Sequence, residues 1–370
     1  MSLLNQIIEP SLLVDKEIAM RNLRRMAAVA DQHGLIYRPH FKTHQSAEIA
    51  DWHRELGIKR ITVSSFRMAG YFARHGWEDI TVAFPVNVRE ISRINELAQK
   101  INLQIVAESV ETLQYLAEEL KAPVTVMLKT DTGYRRTGIS ASDFPTIDAM
   151  IAAVAESKML SFGGFLAHAG HSYDTSGKEA VLAIHAQALE ALRGLDERYR
   201  GSYPNMIISL GDTPTMSHAK SFGPVNEIRP GNLIFYDLAQ VEIGSCDFGQ
   251  IAVCMACPVV ALHPERNEIV LYGGGVHFSK DSCTLDGRTV YGLPVWLREE
   301  GTWSEPVAGS YVKKLSQEHG IVKASPELME AVQPGDLLGV LPVHSCLTAD
   351  AAGRFLRRDG GWIDMMSKKN

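Results

Sequence analysis

Eight short apolar runs between Leu35 and Tyr236 constrain this chain more than any other feature. They are Leu35–Tyr37, Arg60–Ser64, Ile80–Phe84, Leu103–Ala107, Val124–Leu128, Phe162–Ala167, Met206–Leu210 and Leu233–Tyr236. Amphipathic stretches separate most of them. In 88–101, for example, Val88, Ile91, Ile94, Leu97, Ala98 and Ile101 recur at the spacing of one helix face. Alternating strands and helices in this number predict an α/β fold, a (β/α)8 TIM barrel. The working end of such a barrel is at the C-terminal ends of its strands.

Beyond about residue 238 the pattern changes. Val241–Ile243, Ala252–Leu262, Glu268–Tyr272, Gly287–Leu297 and Leu337–Val343 read as strands joined by Gly-, Pro- and Asp-rich turns, with no long helix. The turn Gln333-Pro334-Gly335-Asp336 suits such a β domain. The predicted layout is an N-terminal segment (1–14) joining the β domain, a barrel (15–238) and a C-terminal β domain (239–370). A length of 370 residues accommodates a large barrel plus a smaller domain.

The bulk chemistry narrows the partners. A formal net charge of -6 and a pI near 6.1 argue against a general nucleic-acid binder, which needs a basic face. No run approaches the ~20 apolar residues of a membrane span, and no basic segment leads an apolar one at the N-terminus. The expected location is cytoplasmic. The five cysteines, an odd number, all fall in the C-terminal third and do not form a disulfide framework. Cys254 and Cys257 have CxxC spacing, but they sit in an apolar strand with no second such pair, so they read as core thiols.

Lys42 lies in Arg38-Pro39-His40-Phe41-Lys42-Thr43-His44, just past the first apolar run. A lysine after a strand is commonly a solvated surface group. Here, nearby cations and partial burial would favour a neutral amine, the form that attacks an aldehyde. Four further segments fall at or after strand ends. Asp131-Thr132-Gly133-Tyr134-Arg135-Arg136-Thr137-Gly138 follows the fifth strand. His168-Ala169-Gly170-His171-Ser172-Tyr173 follows the sixth and offers rings to stack on a planar group. Ser209-Leu210-Gly211-Asp212-Thr213-Pro214-Thr215 follows the seventh. Its small residues and hydroxyls suit a phosphate, and barrels often hold phosphate after strands seven and eight. Arg229-Pro230-Gly231-Asn232, with Tyr236, would complete the same pocket. In the β domain, His344 and Cys346 stand at i and i+2. In an extended segment they would share a face and offer two zinc ligands, leaving the site open.

Together these segments resemble the pyridoxal-phosphate enzymes of fold type III, which have an alanine-racemase-type barrel. The resemblance covers nearly the whole chain. Pro10-Ser11-Leu12-Leu13-Val14-Asp15 resembles their entry motif. The run around Lys42 resembles the lysine motif of the D-serine dehydratase and D-threonine aldolase branch. The His344-x-Cys346 pair resembles the metal-dependent dehydratases, since related aldolases more often carry His-x-Asp there. Phe41 departs from the small or variable residue expected and leaves substrate size open. The resemblance implies that Lys42 is catalytic and holds pyridoxal 5'-phosphate covalently. His168 would pack on the pyridine ring, Tyr173 would contact it, and Arg136 would lie near the phenolic oxygen. Thr213, Gly231 and Asn232 would hold the phosphate. His344 and Cys346 would bind Zn2+ or another divalent metal.

The expected activity is a lyase acting on a small 3-hydroxy D-amino acid, foremost D-serine dehydration to pyruvate and ammonia. The alternatives are retro-aldol cleavage of the D-threonine aldolase type and 3-hydroxy-D-aspartate dehydration. A racemase needs a second base and no metal, and a non-catalytic cofactor carrier is usually a lone barrel, so the metal pair weighs against both. A homodimer is expected, with Gln317-Glu318-His319-Gly320 contributing across its interface.

Overall fold

The computed structural model describes residues 3–367, in two compact units. One comprises Arg25–Lys42 and Ala50–Gly231. The other comprises the described residues up to Arg24, then Thr43–Ile49, and the chain from Asn232 onward. No helix among the described residues is long and apolar enough to cross a membrane.

In the first unit eight parallel strands follow one another around a sheet. Their order is Arg60–Val63, Asp79–Pro85, Asn102–Ala107, Val124–Asp131, Leu160–Ala167, Ile207–Leu210, Glu227–Ile228 and Ile36–Tyr37. The two ends meet through a parallel bridge between His40 and Thr62, where Thr62 N donates to Pro39 O at 2.9 Å. This is the nearly closed barrel that the alternation predicts. Val126, Met127 and Leu128 are all buried, because a barrel strand is covered on both faces and so reads as a continuous apolar run. The pairing slips by one residue between Val126 and Met127, opposite Gly163 and Gly164. Gly164 has φ +127°, and a side chain there would strike Ile207 O, so the bulge requires glycine.

The surrounding helices start where the sequence supplies caps. Ser65, Ser109 and Asp143 accept from the backbone N–H groups of Met68, Thr112 and Thr146. Lys178–Tyr199 buries Val181, His185, Ala188, Leu192, Leu195 and Tyr199 along one face. The stretch expected as one helix over 88–101 opens with a 3-10 turn, Val88–Glu90, and continues as Ile91–Ala98.

The eighth strand is not where the apolar run puts it. Asn232–Ile234 is a 3-10 turn, and the strand is Glu227–Ile228. Leu233 to Tyr236 are apolar because they are buried, and burial alone does not distinguish a strand from a turn. The true strand is only two residues long and carries a charge. Glu227 is fully buried and is bonded by Arg38 Nε at 2.7 Å and by Ser209 Oγ at 2.6 Å. A buried carboxylate needs such partners.

The second unit is built on a mixed sheet. Ser11–Val14 runs antiparallel to Val253–His263 and parallel to Arg354–Arg357. The sheet continues through Leu337–Pro342, Gly292–Leu297 and Trp303–Pro306 on one side and Trp362–Asp364 on the other. Glu268–Tyr272, His319–Lys323 and Tyr311–Leu315 extend it from Val253–His263. Two sequence expectations are corrected here. Val241–Ile243 belongs to a helix, Leu238–Ile243, capped by Asp237 and ended at Gly244 in the left-handed region. Gly287–Leu297 is two strands, because Arg288–Val290 folds back on Cys283–Leu285 in a hairpin. All five cysteines are reduced and buried, and burial pushes the Cys254 and Cys257 thiols well up.

Candidate active site and metal pair

The barrel unit carries Lys42, Arg136, His168, Tyr173, Thr213 and Gly231, each at or beyond the C-terminal end of a strand. Lys42 follows the closing bridge at His40. Its backbone N–H donates to His40 Nδ1 at 3.3 Å, and its side chain is exposed rather than partly buried. Phe41 faces the other way. It is fully buried, with its ring edge-on to Phe72 and Trp77, so it anchors the lysine segment rather than narrowing the space beside it.

The loop after the fifth strand is shaped by Asp131, whose carboxylate accepts from the N–H groups of Gly133 and Arg135. Arg136 is exposed and its guanidinium lies 4.9 Å from the Tyr134 ring centre. Tyr134 stacks on His171 and meets His168 edge-on, both at 6.0 Å, so this loop and the next share one aromatic cluster.

His168 Nδ1 sits 2.5 Å from Gly211 O. A carbonyl only accepts, so Nδ1 carries the proton and Nε2 is left with its lone pair. Burial, with the nearby charges of Lys42, Arg136 and Lys129, holds the ring's pKa down to about 3 against the help of that hydrogen bond. The imidazole is therefore neutral at ordinary pH. The Tyr173 ring lies 6.3 Å from it, and the Tyr173 hydroxyl accepts from Thr213 N at 3.1 Å.

Thr213 opens the helix Thr213–His218, capped by Asp212, which also accepts from Ser172 Oγ at 2.8 Å. Thr213 is fully buried, yet its Oγ1 has no partner among the described residues. A buried hydroxyl left unbonded costs about 1–3 kcal/mol, so this one fits a bound acceptor such as a phosphate oxygen. Gly231 packs so closely that a Cβ would lie 2.5 Å from His40 O.

One barrel residue escaped the sequence reading. Lys129 is buried, and burial plus Arg229 and Arg136 lower its pKa to about 8. Arg229, also buried, bonds Ser209 Oγ and Ala167 O across three strand ends. Lys129 directly follows the apolar run Val124–Leu128, and the sequence alone does not show that its side chain is buried.

Asn232 and Tyr236 belong to the second unit. The Asn232 amide is committed there: Nδ2 donates to Asp237 Oδ2 at 2.7 Å and to Ser345 Oγ at 3.1 Å, and lies 3.6 Å from Cys346 Sγ. A side-chain role toward phosphate is thereby closed, leaving Asn232 its backbone. Tyr236 is buried with φ +48°.

His344 and Cys346 do not lie on an extended segment as expected. His344 precedes the helix Ser345–Ala352, and Cys346 stands in its first turn. The corner, not strand alternation, brings the side chains together. Ser345 N donates to Asp237 Oδ2 at 2.9 Å and fixes that corner. His344 Nδ1 pairs with Asp281 Oδ2 at 2.8 Å, and Cys346 lies near enough to favour charge on the ring. Thr43 Oγ1 lies 3.3 Å from Cys346 Sγ. Burial opposes charge on His344, but Cys346, Asp237 and Asp281 outweigh it and push its pKa up to about 9. An imidazole nitrogen and a thiol are donor types that suit zinc. No group of three or more such side chains is found among the described residues, so a metal bound by this pair would keep open positions.

The alanine racemase N-terminal domain profile matches residues 14–238, and a putative serine dehydratase domain matches 252–356. The D-threo-3-hydroxyaspartate dehydratase of Delftia sp. strain HT23 is 28% identical over 92% of this chain and 91% of its own. The D-serine dehydratase of Dictyostelium discoideum is 29% identical over 94% and 92%. The solved Delftia structure has a TM-score of 0.89 over 99% of both chains at 26% identity, and a cysteine-to-alanine mutant of it was solved in a metal-free form. The chain belongs to the alanine racemase N-terminal domain family of pyridoxal-phosphate proteins, with a serine dehydratase domain after the barrel.

Proposed function

We propose that the chain is a pyridoxal-phosphate- and zinc-dependent lyase that dehydrates D-serine to pyruvate and ammonia. The observation that carries this reading is the convergence of His344 with Cys346, buttressed by Asp281, Thr43 and Asn232. D-serine dehydratases from three organisms are among its relatives.

Lys42 Nζ would hold the cofactor covalently, and its amine is the group that would take the substrate's α-proton. The bound cofactor supplies an electron sink for the charge left at the α-carbon. Thr213 Oγ1 and the Gly231 backbone would bind the phosphate, and neutral His168 and Tyr173 would hold the pyridine ring. Arg136 would serve its phenolic oxygen, and in the second unit Tyr236 and the Asn232 backbone are further candidates for the phosphate. His344 and Cys346 hold the cation, which supplies Lewis acidity for the departing 3-hydroxyl. A homodimer and a cytoplasmic location belong to the same proposal. Five reduced thiols suit a reducing compartment.

Dehydration of D-threo-3-hydroxyaspartate is the second reading, favoured by the Delftia enzyme's likeness along the full chain. A panel of D-serine, D-threonine and the 3-hydroxyaspartate isomers, assayed for keto acid, aldehyde and ammonia, separates these activities. Pyruvate and ammonia fastest from D-serine is the expected result. Aldehyde release in place of keto acid would replace dehydration with retro-aldol cleavage.

A further inference from the structure

The loop carrying Asp281 is tied to the helix that begins at the metal pair. Thr348 Oγ1, on that helix, donates to Phe278 O at 3.0 Å, three residues before the carboxylate. Asp281 N in turn donates to Ser279 Oγ at 3.3 Å. The Asp281 carboxylate then meets His344 at Nδ1. The carboxylate accepts from the ring, so Nδ1–H is the donor. With Nδ1–H committed there, Nε2 is the nitrogen left for a cation.

We propose that Asp281 is a positioning residue that holds the His344 Nδ1 proton and thereby presents Nε2 to the metal. The inference rests on the zinc reading above. Asp281 touches neither substrate nor cofactor in this role and contributes no ligand; it restricts rotation of the His344 ring. Partners of this kind typically change metal affinity by about 10–100-fold.

The test is zinc affinity itself, measured on cofactor-loaded protein by competition with a chromophoric chelator. Wild type, Asp281→Asn and Asp281→Ala are compared. Wild type is expected to hold one zinc per chain. Asp281→Ala is expected to weaken zinc by about 10–100-fold. Asp281→Asn keeps an acceptor for Nδ1–H without its charge, and should fall between the two. Asp281 is 41% exposed, so cofactor absorbance and melting temperature should stay at wild-type values in both variants. Wild-type zinc affinity in both variants would overturn the positioning role while leaving the zinc reading intact. Loss of zinc together with loss of cofactor or fold in both would also overturn it, as a structural effect. A wild-type protein that takes up no zinc would remove the zinc reading and this inference with it.

Discussion

The two constellations are assembled by opposite means. In the barrel, Lys42, Arg136, His168 and Thr213 come from segments scattered over nearly half the sequence, and the parallel topology alone brings their loops to one end of the sheet. At the metal pair, the two donors are separated by one residue, and the distant residues Asp281, Thr43 and Asn232 only support them. The barrel arrangement spreads its binding over many groups, so removing one leaves most of it standing. A two-donor metal site has no such redundancy. The comparison therefore predicts graded losses in one place and outright loss in the other, with the lysine as the barrel's one indispensable group.

The largest effect is expected at Lys42. Under the proposed function, Lys42→Ala removes the group that would both tether the cofactor and move the proton. Turnover should fall by at least about 10²–10⁴-fold, and borohydride should no longer fix cofactor to the chain. Mass spectrometry of the reduced wild-type protein checks the assignment, since a modified lysine elsewhere contradicts it.

Next is the metal pair. Cys346→Ala leaves one protein donor, so metal content should drop below detection and pyruvate formation should cease, while cofactor absorbance stays unchanged. Retained stoichiometric zinc would show that the support outweighs the ligands and would break the contrast drawn above.

Smaller effects are expected within the barrel. Thr213→Val removes one hydroxyl donor at nearly constant volume. A hydrogen bond to a charged group contributes about 1.5–3 kcal/mol, so cofactor affinity should fall roughly tenfold to a hundredfold. An unchanged affinity, measured by titrating apoprotein with pyridoxal phosphate, would move the phosphate elsewhere.

The smallest effect concerns stability. The folded pKa of His168 is about 3, held down mainly by burial, against about 6.5 when unfolded. Above pH 6.5 neither state binds a proton there and the group costs nothing. As the pH falls below 6.5 the unfolded chain takes up a proton that the folded chain refuses, so stability drops. Between pH 7 and pH 5 the loss is at most about 2 kcal/mol. Urea unfolding of the apoprotein at both values should show it, and His168→Gln should lack it.

How far the sequence revealed all this follows the same division. Seven barrel strands were legible because strands covered on both faces are apolar throughout. The eighth was not, because Glu227–Ile228 is two residues long and its charge is neutralised by Arg38, far away in the chain. The site loops could be found because they follow strands and carry glycines, hydroxyls and rings. The His344–Cys346 spacing was visible too, but its physical basis was misread, since a strand-to-helix corner and not an extended segment brings the side chains together. Asp281 and Lys129 left no signal. One is an ordinary acidic residue in a loop, and the other a single lysine whose burial depends on the strands beside it.

The central claim is a metal-assisted loss of the 3-hydroxyl on a cofactor held by Lys42. Its most direct test is the assay of pyruvate from D-serine after treatment with a strong chelator and again after zinc is restored. The account predicts that pyruvate formation stops and returns while the cofactor's absorbance stays constant throughout. A metal-free enzyme that releases pyruvate at the full rate would contradict it.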